Sequence, residues 1–166
     1  GLIISDVSNV FFATLAKGVE DACRRQGWNL ILCNTNDKHE RDLACIQVLA
    51  DKGVDGIVFC MARDSDREKV QESMDLMDKL KMPFVMVDRY LEGADCSSVI
   101  VNHIQGGYAA TKHLLERGHR KIGCVTGPSK LEDSQRRLAG YQKALMEYRI
   151  PYREELVYEG NYDRES

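Results

Sequence analysis

Three short clusters carry most of the chemistry this sequence offers. The first is Ser5-Asp6-Val7-Ser8-Asn9-Val10-Phe11-Phe12, which places hydroxyl, carboxylate and amide groups ahead of two adjacent rings. Such polar residues cap a helix or present donors and acceptors at its positive end, and an aromatic ring can lie against the apolar face of a sugar. The same residues also fit a capped helix with Phe11 and Phe12 in the core. The second cluster is Val87-Asp88-Arg89. A carboxylate accepts hydrogen bonds and a guanidinium donates two in fixed geometry, so Asp88 and Arg89 together can recognise neighbouring hydroxyls, or can form a salt bridge that pins a loop. The third is Arg136-Arg137-Leu138-Ala139-Gly140-Tyr141. Leu138 and Tyr141 share the apolar stripe of a helix, which leaves Arg137 near the edge of that stripe, as a ligand contact or a solvated charge.

None of this is catalytic machinery. The sequence has no Gly-x-Ser-x-Gly elbow, no Gly-x-Gly-x-x-Gly turn and no phosphate-binding P-loop. His39, His103, His113 and His119 lack metal-ligand spacing with one another or with a cysteine, so no metal and no cofactor is expected. A phosphorelay receiver would need an aspartate at the end of the third strand, where Cys60-Met61 stand.

Alternating strands and helices must hold these clusters. Apolar runs at 1–5, 29–34, 56–61, 84–87, 98–101, 121–125 and 156–158 read as strands. Between them fall helical periodicities: Phe12, Leu15, Ala16, Val19 and Cys23 up to Gly27; Leu43, Ile46 and Ala50 after an Asp37 cap; and Val70, Met74, Met77 and Leu80 after a Ser65/Glu68 capping box. A fourth helix covers 104–117, and Leu138, Tyr141, Leu145 and Tyr148 mark a fifth. Strands rich in Val, Ile, Leu, Phe and Cys, separated by helices, imply a doubly wound α/β fold with a parallel sheet covered on both faces. Ligands of such sheets bind beyond the carboxyl ends of the strands. That rule selects the loops 6–12, 61–65, 88–90 and 127–137.

Composition narrows the setting. The 166 residues are 43% hydrophobic and 30% charged with a formal net charge of −3, which fits a globular protein without a basic face for DNA or an anionic membrane. No apolar run approaches the roughly 18 residues of a membrane span. The six cysteines contain no Cys-x-x-Cys pair and read as free thiols in a reducing compartment, favouring the cytoplasm.

The stretch His113-Leu114-Leu115-Glu116-Arg117-Gly118-His119-Arg120-Lys121-Ile122-Gly123-Cys124-Val125-Thr126-Gly127 is a helix end, a glycine stop, a basic turn and a strand. With the clusters above, it resembles the effector-binding core of the lactose/galactose-repressor family of bacterial regulators. The resemblance spans the whole chain. It implies two periplasmic-binding-protein-like, Rossmann-like subdomains with the ligand between them: an N-terminal subdomain over 1–102 and the start of a C-terminal one over 103–166. A DNA-binding helix-turn-helix domain and the rest of the core would lie outside this sequence. Gly1 reads as lying inside a strand, and Asn161-Tyr162-Asp163-Arg164-Glu165-Ser166 stand where another helix should begin.

From the same resemblance Asn9, Phe11 and Phe12 would contact the ligand. Asp88-Arg89 is similar to the pair in ribose-binding relatives, and Arg137, three residues before Gly140, would take the family's ligand-binding arginine position. The family usually has Asp-Asn where subdomains cross; here Val101-Asn102 precedes Gly106-Gly107, so Val101 is left out of the site. The expected partners are a small effector, a sugar for which the Asp-Arg pair points to ribose, operator DNA through the other domain, and a second copy as a homodimer. The alternatives are a sugar-binding protein of a transporter and a sugar-metabolising α/β enzyme.

Overall fold

Leu2-Ile3-Ile4 is apolar on every side chain, and all three are buried, as a strand covered on both faces requires. It is β1 (Leu2–Ile4). The computed structural model describes residues 1–89 and 93–162, and the chain divides into two compact units, Gly1–Ile100 and Val101–Ser166.

In the first unit, β1 lies between β2 (Leu32–Asn34) and β3 (Ile57–Phe59), followed by β4 (Phe84–Val87) and β5 (Ser98–Val99), in the order β2-β1-β3-β4-β5 with every pair parallel. Helix α1 (Val10–Arg25) seats Phe12, Leu15, Ala16 and Val19 against Leu2, Ile4, Cys60 and Val87. Helices α2 (His39–Asp51) and α3 (Arg67–Lys79) seat Ile46, Leu49, Val70, Met74 and Met77 against Ile3, Phe59 and Met86. Odd and even strand positions thus serve different layers, the period-2 pattern of a sheet wound on both faces.

Most strands are shorter than the apolar runs that announce them, and two helix starts differ from the sequence reading. Asp37 does not cap α2: its φ of 57° is left-handed, whereas an N-cap is extended, and the cap is Lys38 at φ −119°. Ser65 yields to Asp66, whose carboxylate accepts from the Lys69 amide at 3.0 Å, so Glu68 falls one position early for a capping box. The buried stripe of α2 is Asp42, Ile46 and Leu49, while Leu43 and Ala50 flank it only partly buried.

The second unit pairs β6 (Cys124–Thr126) with β7 (Val157–Glu159) in parallel, packed with α4 (His103–Glu116) and α5 (Glu132–Glu147). Its core is Leu115, Ile122, Tyr141, Ala144 and Leu145, and the Tyr141 hydroxyl donates to the Ile122 carbonyl at 2.9 Å. Gly118, at φ 92°, ends α4: its amide donates to Leu115 and that of His119 to Leu114, the paired bonds of a left-handed helix stop. Gly107 and Gly140 let α4 and α5 touch at the backbone. A Cβ on Gly140 would stand 2.1 Å from the Ile104 carbonyl oxygen, and one on Gly107 2.2 Å from that of Arg137. Among the described residues no helix is long and apolar enough to cross a membrane.

Candidate functional site

The carboxyl ends of β1 to β4 gather polar groups on one edge of the first unit. After β1, Asp6 accepts from the Ser8 amide at 2.9 Å, and Asn9 Oδ1 caps α1 by accepting from the Phe11 amide at 2.9 Å. The rings of Phe11 and Phe12 meet edge to face, 5.1 Å apart, but their roles differ. Phe12 is 5% exposed and belongs to the core, whereas Phe11 is 44% exposed and offers a ring at the surface.

After β4, Arg89 is largely buried. Its Nη1 donates to the Met61 carbonyl at 2.9 Å and lies 3.8 Å from Asp37 Oδ1; its Nε is 3.9 Å from Asp88 Oδ2 and makes no hydrogen bond within the structure. Asp88 occupies a left-handed turn at φ 68°, its amide donating to the Val99 carbonyl at 3.1 Å. Tyr90, the last residue of the loop selected from sequence, lies outside the described residues, as do 163–166.

Two further residues, not nominated from sequence, stand with this group. Asp37 follows β2 and accepts from both the backbone amide of Arg63 (3.1 Å) and its Nε (2.7 Å), while its own amide donates to Ser5 at the end of β1. Asp37 had read as a helix cap, because a lone Asp before a helical stripe carries no signal of a distant guanidinium. Arg63 lies in the 61–65 loop that strand order had selected.

The loop after β3 is fastened from below by Asp42. This carboxylate is fully buried and accepts from the Ala62 amide at 2.9 Å. Burial pushes its pKa up to about 6, outweighing the Ala62 and Thr35 hydrogen bonds and the nearby His39, which favour the charge. The folded state therefore prefers neutral Asp42. Its stabilising contribution is full below the unfolded pKa near 4 and is lost as pH rises through about 6, a loss on the order of 2–3 kcal/mol. Asp42→Asn keeps an acceptor for Ala62 without the charge. It should raise stability at pH 7.5 and flatten the dependence between pH 5 and 7.5, read by urea denaturation at both values; lower stability for the amide at pH 7.5 would contradict this.

In the second unit, Arg137 sits in the early turns of α5, 41% of its side chain exposed, with Nη1 donating to the Tyr162 hydroxyl at 2.6 Å and Nη2 3.4 Å from Asp133. Its guanidinium carbon lies 5.4 Å from the centre of the Tyr162 ring. Arg136 pairs with Glu132 one turn back along the helix. Asn102 caps α4, accepting from the Gln105 amide at 3.0 Å. Among the described residues no three or more His, Cys, Asp or Glu side chains gather as metal ligands.

Residues 1–166 match the family described as periplasmic binding proteins and sugar binding domain of LacI family. The HTH-type transcriptional repressor PurR of Vibrio atlanticus is 37% identical over 164 residues, covering 98% of this chain and 48% of the repressor. The crystal structure of transcription regulator CcpA of Lactococcus lactis superposes with a TM-score of 0.81 at 32% identity, over 99% of this chain and 59% of that one. A sugar-binding LacI-family regulator from Escherichia coli, complexed with phosphate, gives a TM-score of 0.74 at 28% identity, over 97% and 57%. The chain spans about half the length of the curated relatives it matches. These relatives are a transcriptional repressor and two transcription regulators.

Proposed function

Because the chain belongs to the family of periplasmic binding proteins and LacI-type sugar-binding domains, we propose that it forms part of the effector-binding core of a bacterial transcriptional repressor. Its two units are then the N-terminal subdomain and the first part of the C-terminal one. Closure of such subdomains on a small polar effector changes how the paired DNA-binding domains of a homodimer meet the operator. The proposed compartment is the cytoplasm, and the six free cysteines accord with it better than with the oxidising setting of a transporter's binding protein.

The observation that carries the reading is the convergence of Asp37, Arg63, Asp88 and Arg89, with the exposed ring of Phe11, at the carboxyl edge of a parallel sheet. Acceptors, donors and one aromatic face suit a sugar, and ribose is the first candidate because of the Asp88-Arg89 pair. Asn9 and Arg137 complete the proposed set, and Phe12 backs Phe11 from the core.

A thermal-shift screen of neutral sugars and nucleosides on the full-length protein tests this. A ligand at about 100 times its Kd adds about 2.7 kcal/mol, a rise of several degrees. Stabilisation by a pentose supports the reading. A response confined to nucleosides replaces the sugar with a purine- or pyrimidine-bearing effector, and silence across both classes contradicts the proposal.

A further inference from the structure

Asp37 follows the edge strand of the sheet and reaches across the point between β1 and β3 where the strand order reverses. Its strand, β2, is separated from β3 by β1, yet its carboxylate binds Arg63 of the β3 loop and lies 3.8 Å from Arg89 after β4, while its amide is tied to Ser5 at the end of β1. One carboxylate thus serves two guanidiniums drawn from different strand ends. With Asp88 3.9 Å from Arg89, the formal charges of these four side chains cancel, and Asp6 after β1 adds a further carboxylate to the edge. The forks of both arginines are also partly spent: Arg63 Nε on Asp37, and Arg89 Nη1 on the Met61 carbonyl.

We infer that Asp37 is a positioning residue that sets charge selectivity, so that this end of the site takes an uncharged polyol and rejects a phosphorylated one. The inference rests on the reading of this edge as the effector site. A phosphoryl group would bring its charge beside Asp37 and Asp88 and would compete with Asp37 and the Met61 carbonyl for guanidinium groups already partly engaged. A neutral hydroxyl meets no such repulsion, and it donates to a carboxylate and accepts from an arginine. Replacing Asp37 with a neutral amide leaves two arginines against one acid, an excess positive charge suited to an anion.

The test is calorimetric titration of the full-length protein, as wild type, Asp37→Asn and Asp37→Glu, with D-ribose, D-ribose 5-phosphate and inorganic phosphate as probes. The wild type should favour ribose over its phosphate ester at least tenfold and show no heat with inorganic phosphate. Asp37→Asn should shrink that preference tenfold or more and gain phosphate binding, and Asp37→Glu should restore the wild-type order. A merely structural Asp37 would weaken all probes alike. Preference of the wild type for the phosphate ester, or an unchanged ratio in Asp37→Asn, overturns the inference. If both sugars are silent throughout, the ribose reading fails, and inorganic phosphate still decides: a gain in Asp37→Asn alone supports the role of Asp37, and no gain refutes it. Should Asp37→Asn not fold, Arg63→Gln reports instead. With one cation fewer it should discriminate against the ester more strongly than wild type, and equal discrimination overturns the inference.

Discussion

Gly107→Ala should destabilise the protein by about 1–3 kcal/mol or more, while Gly106→Ala, one residue earlier on the same helix, should stabilise it by about 0.5–1 kcal/mol. The two substitutions are chemically identical, and both positions lie inside α4. What differs is the space. Nothing lies within 4 Å of a Cβ on Gly106, so alanine there only reduces the freedom of the unfolded chain. A Cβ on Gly107 would stand 2.2 Å from the carbonyl oxygen of Arg137, which is backbone and cannot rotate away. Gly140 occupies the reciprocal place on α5, with the Ile104 carbonyl 2.1 Å from its would-be Cβ, so Gly140→Ala should behave like Gly107→Ala. Because the clash at Gly107 falls on Arg137 itself, relief by sliding α5 would also move that guanidinium. Urea denaturation of the three variants measures the signs. The same sign for Gly106→Ala and Gly107→Ala would show that α4 and α5 do not cross through glycine.

Arg137→Ala should weaken effector binding about 10- to 150-fold, whereas Arg136→Ala should change it little. Removing one charged hydrogen-bonding partner from a closed site costs on the order of 1.5–3 kcal/mol, which gives that range. Arg137 is pre-positioned for such a role: Asp133 and the Tyr162 hydroxyl hold its fork, and the Tyr162 hydroxyl also meets Ser134 Oγ at 2.6 Å. Arg136, half-buried, pairs with the exposed Glu132 at i,i+4 spacing, an interaction contributing roughly 0–1 kcal/mol. Calorimetric titration of both variants with the strongest ligand of the sugar and nucleoside screen separates them. Equal losses, or a larger loss at Arg136, would mean that the arginine motif is shifted by one residue.

The alternation of elements was legible because it rests on long apolar patterns: among the described residues each strand overlaps the run that announced it, β6 and β7 ending one residue beyond theirs, and the Gly118 stop has the backbone conformation that only the sequence context His-Leu-Leu-Glu-Arg-Gly-His had suggested. Caps were less legible, since a helix start depends on one residue's dihedrals, and Asp37 and Asp66 are equally good caps by type. The site was half legible. Asp88 and Arg89 follow directly from the end of β4, a position any strand assignment supplies. Asp37 and Arg63 meet only because β2, 25 residues upstream of β3, lies two strands away in the same sheet. Sequence spacing does not encode that order. Phe11 and Phe12 were indistinguishable in type, and only the helix phase separates the surface ring from the core ring.

Hydrogen exchange of the full-length protein, with and without a saturating effector from the screen, tests the central claim most directly. Backbone amides next to a ligand exchange more slowly when it closes them off from water. The account predicts new protection in the segments after β1, β2, β3 and β4, at residues 6–12, 35–39, 61–64 and 88–89, together with the start of α5 around Arg137. Protection confined to other surfaces, such as 146–153 beside α5, with the strand-end segments unchanged, would contradict it.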